Sequence, residues 1–183
     1  MKAAEVAVRI LEDEGIRVAF GIPGAAINPV YGYLKNSIIE HYIARHEEGA
    51  VHAADGHYRA SGRMALGICT SGPAATNLIT GLYTAQADSI PLIAITGQAA
   101  SNLFGTEPFQ CVDITSIAGT VTKAAWCVME PAQLPAVMRE AFRTARSGRP
   151  GPVLIDLPLD VQMAEIDYRL GQDATLPWSR PEP

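Results

Sequence analysis

Two stretches of this chain are apolar without interruption: Pro91-Leu92-Ile93-Ala94-Ile95 and Pro152-Val153-Leu154-Ile155. A strand with one wet face alternates polar and apolar side chains; a strand with no polar face has to be covered on both sides. Residues 91–96 are therefore expected to run through the middle of a sheet, and residues 152–157 are a second strand of the same kind. Between such runs lie segments with helical periodicity. Val6, Val8, Ile10 and Leu11 mark residues 3–14 as an amphipathic helix stopped by Gly15, and Leu134, Val137, Met138, Ala141 and Phe142 share one side of residues 131–147. Buried strands alternating with helices give a mainly parallel sheet with right-handed crossovers.

In chain order the expectation is a strand at 18–20, a turn at 21–26 and a helix from 28 to about 36. A strand at 38–43 and a helix from Glu47 to 61–62 follow, then a strand at 65–70 and a helix from Pro73 towards 88. The strand at 91–96 leads into a polar, glycine-containing excursion, 97–109, long enough to be functional. A short helix at 112–118, a strand at 124–128, the 131–147 helix and the 152–157 strand complete the set. This is a three-layer α/β/α sandwich on a six-stranded sheet. Residues 1–167 form one domain, and the proline-bearing tail, 168–183, reads as a linker.

The 183 residues suffice for one domain with a sizeable core, and 48% hydrophobic against 18% charged residues excludes a disordered chain. Net charge is −5, from 14 Lys and Arg against 19 Asp and Glu, with the basic residues scattered, so no nucleic-acid partner is expected. No apolar run approaches a membrane span. Three widely spaced cysteines, Cys69, Cys111 and Cys127, point to reduced thiols and a cytoplasmic setting, Cys69 being a small core residue inside a strand.

Two junctions invite chemistry. Glu47 and Glu48 open a helix at the carboxyl end of a strand, where open α/β sheets place ligands. Either carboxylate is favoured there by the helix dipole, and spacing does not choose between them. In Thr70-Ser71-Gly72-Pro73-Ala74-Ala75-Thr76-Asn77, Ser71 or Gly72 caps a helix and Pro73 fits its first position. The same glycine would also let backbone approach a flat ring. Ser71 lacks a nucleophile elbow, and the chain has neither a Gly-x-Gly-x-x-Gly nor a Walker sequence. His41, His46, His52 and His57 are spaced 5, 6 and 5 apart, on different faces and without a His-Glu-x-x-His, so no metal site is expected here. Taken alone, Phe109 and Gln110 are loop residues and Lys123 is an exposed lysine.

The segment from Arg45 to Gly56 resembles the glutamate segment of thiamine-diphosphate enzymes, in the branch of acetohydroxyacid synthases and glyoxylate carboligases. The residue after the histidine, Glu47 here, is the one that in the family contacts the aminopyrimidine ring. Residues 70–77 resemble the family's Thr-Ser-Gly-Pro-Gly loop, with Ala74 in place of the commoner glycine. Residues 109–114 and the pair Thr122-Lys123 are similar to positions lining the substrate side of the thiazolium ring, and residues 147–158 to a structural signature. Residues 23–29 and 160–166 look most like glyoxylate carboligase, but those enzymes carry valine at the position of Glu47, whereas acetohydroxyacid synthases keep glutamate.

The resemblance implies a pyrimidine-binding domain with Glu47 as its catalytic group. Pro23, Gly24, Glu47, Thr70, Gly72 and Asn77 would meet the cofactor, and Phe109, Gln110 and Lys123 the substrate. It implies an enzyme that decarboxylates a 2-oxo acid, pyruvate or glyoxylate, and ligates the product to a second carbonyl compound. In the family the diphosphate and its magnesium sit on a Gly-Asp-Gly motif in a later domain, contributed by another subunit of an oligomer. This sequence has no Gly-Asp-Gly, so the domain is expected to be silent alone, with flavin (FAD), where used, bound mainly elsewhere. Two other readings stay open at this point: one subunit of a two-chain decarboxylase of the sulfopyruvate type, and a non-catalytic interaction domain.

Overall fold

The computed structural model describes residues 1–106 and 108–169; the linker expected over 168–183 falls outside the described residues from 170 onward. Its elements are α1 (Ala3–Asp13), β1 (Val18–Ile22), α2 (Asn28–Leu34), β2 (Glu40–Ile43), α3 (Glu47–Ser61), β3 (Leu66–Cys69), α4 (Pro73–Asn77), α5 (Ile79–Ala87), β4 (Ile93–Gln98), α6 (Ile114–Ala118), β5 (Ala124–Cys127), α7 (Leu134–Arg146), β6 (Val153–Pro158) and α8 (Leu159–Met163). The six strands form one sheet in the order β2-β1-β3-β4-β6-β5, with every pairing parallel.

Because successive side chains of a strand point to opposite faces, the sheet divides the apolar residues between two clusters. Leu66, Ile68, Ile93, Ile95, Val153 and Ile155 face α1, α2, α7 and α8. Cys69, Ala94 and Leu154 face α3 to α6. The first face is filled by bulk, including the wholly buried Phe142 and Leu11, each contributing roughly 1.5–3 kcal/mol of transfer free energy. The second is built from Ala54, Ala74, Ala75, Ala85 and Ala118, which let α3, α4 and α5 lie close to the strands. As expected, β4 is central and buried along its whole length.

Three boundaries differ from expectation for identifiable reasons. The strand read at 38–43 is shorter and lies at the sheet edge, leaving Tyr42 and Ile43 largely exposed; an apolar run does not reveal how many neighbours it has. The helix read from 73 to 88 is two helices, tightened at Leu78, whose N–H donates to Ala75 three residues back. The helix read at 131–147 opens as a 3-10 turn, Pro131–Gln133, before α7. A short helix, α8, was not expected at all; its Gln162 matters below. Tyr168, read as the first linker residue, is buried against the first cluster.

Candidate functional site

The chain leaves β1 for β2 on one side and returns across β1 to reach β3 on the other. At that reversal α2 and α3 pass to opposite faces of the sheet, and the carboxyl ends of β1 and β3 lie where open α/β sheets take ligands. Residues 22–27, 44–47 and 70–73 follow those strand ends and make the rim there.

On the α3 side of the rim the ambiguity between the two glutamates is resolved by their partners. His46 caps the helix, its Nδ1 accepting from the Glu48 N–H at 3.2 Å. Glu48 turns along the helix to His52, 3.6 Å away and one turn on. Glu47 turns instead towards α4, where Asn77 Nδ2 donates to its Oε2 at 2.9 Å. One carboxylate oxygen is thus fixed from a neighbouring helix, and Oε1 has no donor among the described residues. Below lie neutral groups. The Tyr31 hydroxyl donates to the Ile68 carbonyl at 3.3 Å and lies 3.2 Å from His41 Nε2. Burial, then the charges of Cys69 and Glu47, push the phenol far above its ordinary range. Burial does the same to the Cys69 thiol, with Glu47 and Asp156 adding to it. Glu47 therefore sits over groups that stay uncharged at neutral pH.

The opposite wall is a backbone loop held in place by close contacts. A Cβ on Gly24 would fall 2.6 Å from Cβ of Thr70, so only glycine lets the loop lie this close. Thr70 Oγ1 accepts from the Ala26 N–H at 3.2 Å. Gln162, 1% exposed, donates through Nε2 to the carbonyls of Ala26 at 2.6 Å and Leu157 at 2.7 Å. Pro23 is exposed on the outer side of this loop. Gly72 caps α4 with φ 63 and ψ −125, and a Cβ there would meet Gln110 Cβ at 2.8 Å and its Cα and carbonyl oxygen at 2.9 Å. The glycine is required by contact with the 108–112 segment, whether or not a ring also approaches it. Gln110 itself has φ 55, and Phe109 beside it is 88% exposed.

The family model for the N-terminal TPP-binding domain of thiamine pyrophosphate (thiamine diphosphate) enzymes matches residues 1–117. The chain belongs to that family. Among curated relatives, it is 52% identical over 184 residues to a glyoxylate carboligase of Escherichia coli O157:H7, covering 99% of this chain and 31% of that protein. It is 46% identical over 185 residues to a probable acetolactate synthase large subunit of Methanocaldococcus jannaschii, covering 100% and 31%. It is 47% identical over 182 residues to an acetolactate synthase large subunit of Corynebacterium glutamicum, covering 99% and 29%. The chain thus spans about a third of the length of these relatives.

Within this thiamine pyrophosphate-binding domain the structure gathers Glu47, Asn77, Gly24, Thr70, Gly72 and Gln110 at the carboxyl ends of the strands, with Pro23 and Phe109 on the outer rim. Lys123 is not among them. It precedes β5, at the amino ends of the strands, and its ammonium donates to the carbonyls of Thr144 and Ser147, closing the C-terminus of α7. Cations are favoured there by the unpaired carbonyls and the dipole. Lys123, expected on the substrate side, thus stands apart from the other expected site residues in this chain, as a helix-capping lysine.

Sequence reasoning also missed a buried polar network. Thr96 Oγ1 donates to Asp156 Oδ1 at 2.6 Å and Gln98 Nε2 to Asp156 Oδ2 at 3.0 Å, Thr96 and Asp156 being direct partners in the β4–β6 register. Burial pushes the Asp156 carboxyl up to about 7 against those two hydrogen bonds. The signal was a single acid inside an otherwise apolar strand. No helix among the described residues is long and apolar enough to cross a membrane.

Proposed function

We propose that this chain is the pyrimidine-binding half of a thiamine-diphosphate-dependent carboligase that decarboxylates a 2-oxo acid, pyruvate or glyoxylate, and joins the product to a second carbonyl compound. The observation that carries the reading is Glu47: a carboxylate at the strand-order reversal, fixed through one oxygen by Asn77 and offering the other. The residues fit the pyrimidine end of the cofactor. A ring nitrogen bearing a proton needs an acceptor, and Oε1 of Glu47 is one. A flat ring needs a close backbone wall, and the Gly24–Ala26 loop provides it.

When bound, the cofactor supplies the electron sink for decarboxylation and the carbon nucleophile for the joining step. The chain's own residues bind and orient. Glu47 holds or releases a proton at Oε1, Asn77 keeps that oxygen from turning away, and Thr70 and Gln162 keep the loop wall in place. Phe109 and Gln110 flank the side on which the substrate would arrive. The magnesium and diphosphate would be held by a Gly-Asp-Gly domain of another subunit in a homo-oligomer, and any flavin outside residues 1–167. The setting would be cytoplasmic. The relatives support this reading, being a glyoxylate carboligase and acetolactate synthases.

The test pairs the chain with a diphosphate-binding partner region and assays product from pyruvate and from glyoxylate, with Glu47→Gln alongside. General acid–base catalysis is worth about 10²–10⁴-fold, so turnover should fall about a hundredfold or more, and the better substrate names the branch. Unchanged turnover in the variant would return Glu47 to the role of a helix-start carboxylate.

A further inference from the structure

A second cavity, of about 630 Å³, opens above the carboxyl ends of β4, β6 and β5. That volume is in the range of sites for small organic molecules. Its floor is Gln98 and Asp156, 3% and 2% exposed; Phe104, Cys127 and Met129 form walls, and Asp113 stands at the rim. It does not include Glu47, Gly24 or Gly72.

The floor's hydrogen-bonding capacity can be accounted for atom by atom. Both amide hydrogens of Gln98 are committed, one to Asp156 and one to the Val112 carbonyl at 2.8 Å, and its Oε1 accepts from the Ala99 N–H at 3.0 Å. Thr96 donates its hydroxyl hydrogen to Asp156. What remains is acceptor capacity on the Asp156 carboxyl, since each oxygen receives one hydrogen bond and can take two. The charge is equally one-sided. Among the described residues, Asp113 and Asp156 line the cavity and no Lys, Arg or His does. Asp113 is held ionised by hydrogen bonds from Ser116 and Thr115. A buried carboxylate without a cation is costly, and a cation brought beside it offsets that cost.

We propose that this cavity binds a small amphiphilic cation, an ammonium group carried on an apolar body, with the ammonium donating to Asp156 and the body against Phe104, Cys127 and Met129. A 2-oxo acid is an anion and is repelled here, so the inference is independent of the carboligase reading and stands or falls separately.

Among the described residues, the groups that set the field at Asp156 are Asp113 at the start of α6, Asp160 on α8, Cys111 in the excursion, Cys127 on β5 and Cys69 on β3. Asp113 and Asp160 are held below the usual carboxylate range. The three thiols are raised, chiefly by burial. None of these five titrates between about pH 6 and about pH 8, and the ammonium of an alkylamine stays protonated throughout. Asp156, pushed up to about 7, ionises across that window. Affinity for the cation should therefore rise roughly tenfold from about pH 6 to about pH 8.

The experiment is an NMR titration of the whole isotope-labelled chain with 2-phenylethylamine, with 2-phenylethanol as the uncharged match and phenylacetate as the anion. Expected are saturable shifts from the amine at Gln98, Val112 and Cys127 but not at Gly24 or Glu47, tightening with pH as above. Met129→Arg places a cation at the mouth, at a side chain already 44% exposed, and should weaken amine binding at least tenfold while leaving the fold intact. The alcohol or phenylacetate binding as tightly as the amine, no shift in these residues, a pH-independent affinity, or indifference to Met129→Arg would each overturn the proposal.

Discussion

Replacing Gly72 by alanine tests the contact between α4 and the 108–112 segment. Two costs act together. The conformation φ 63, ψ −125 lies outside the regions open to residues with a Cβ, a strain of about 2–3 kcal/mol. The new methyl would also lie 2.8 Å from Gln110 Cβ and 2.9 Å from its Cα and carbonyl oxygen, and moving that backbone adds about 1–2 kcal/mol. The sum is about 3–5 kcal/mol, or a fall in Tm of roughly 6–20 °C for a domain of this size. Gly62→Ala is the control. Gly62 ends α3 at φ 69, ψ 8, with nothing within 4 Å of the added methyl, so only the left-handed cost of about 1 kcal/mol applies. Urea unfolding followed by circular dichroism gives both values. The double variant Gly72→Ala/Gln110→Gly should recover about 1–2 kcal/mol, because the nearest clash disappears and position 110, at φ 55, becomes a glycine. Equal costs at positions 72 and 62, or no recovery in the double variant, would refute the reasoning.

Other outcomes follow from the same structure. Lys123→Met should lower stability by about 1–2 kcal/mol, through the released α7 carbonyls, and leave thiamine diphosphate affinity in the paired protein unchanged by calorimetry; lost affinity at unaltered stability would restore a site role. Asp156 makes stability depend on pH. The folded chain, with this carboxyl at about 7, binds the proton more tightly than the unfolded chain, so its contribution is complete below about pH 4 and lost as pH rises through about 7. Urea midpoints of the native chain and of Asp156→Asn, compared across that range, should diverge; parallel profiles would rule the effect out.

How far the sequence discloses this molecule varies from residue to residue. The unbroken apolar character of residues 91–95 and 152–155 follows from burial on both faces, so their central place could be read directly. Residues 38–43, apolar except for Glu40 and His41, end in an exposed edge strand, because strand order depends on long-range pairing. Glu47 and Glu48 are equivalent as helix-start carboxylates, and only the position of Asn77, thirty residues on, separates them. Lys123 is a different case. In a parallel sheet each crossover returns the chain to the amino edge before the next strand begins, so a residue just ahead of a strand at 124 could not stand beside Gln110. That much was legible. Gln162 and the Thr96–Asp156–Gln98 network were not, since each joins residues far apart in the chain, 58 or more for the network and 136 for Gln162 to Ala26.

The strand order has a bearing on synthesis. The sixth strand to leave the ribosome, β6, lies between the fourth and the fifth, so β4 and β5 have no direct hydrogen bonds and the slot between them stays open until residues 153–158 arrive. The start of the N-terminal helix is tied down late as well, for its first backbone amide at Ala3 donates to Ala164 and the chain's Met1 carbonyl accepts from Ile166. A nascent chain halted before residue 150 would carry unpaired flanks on β4 and β5, the kind of edge that exposes sticky surface. Assembly of this sheet is gated by β6, the last of its strands in chain order, and a pause in translation ahead of it would favour aggregation over folding.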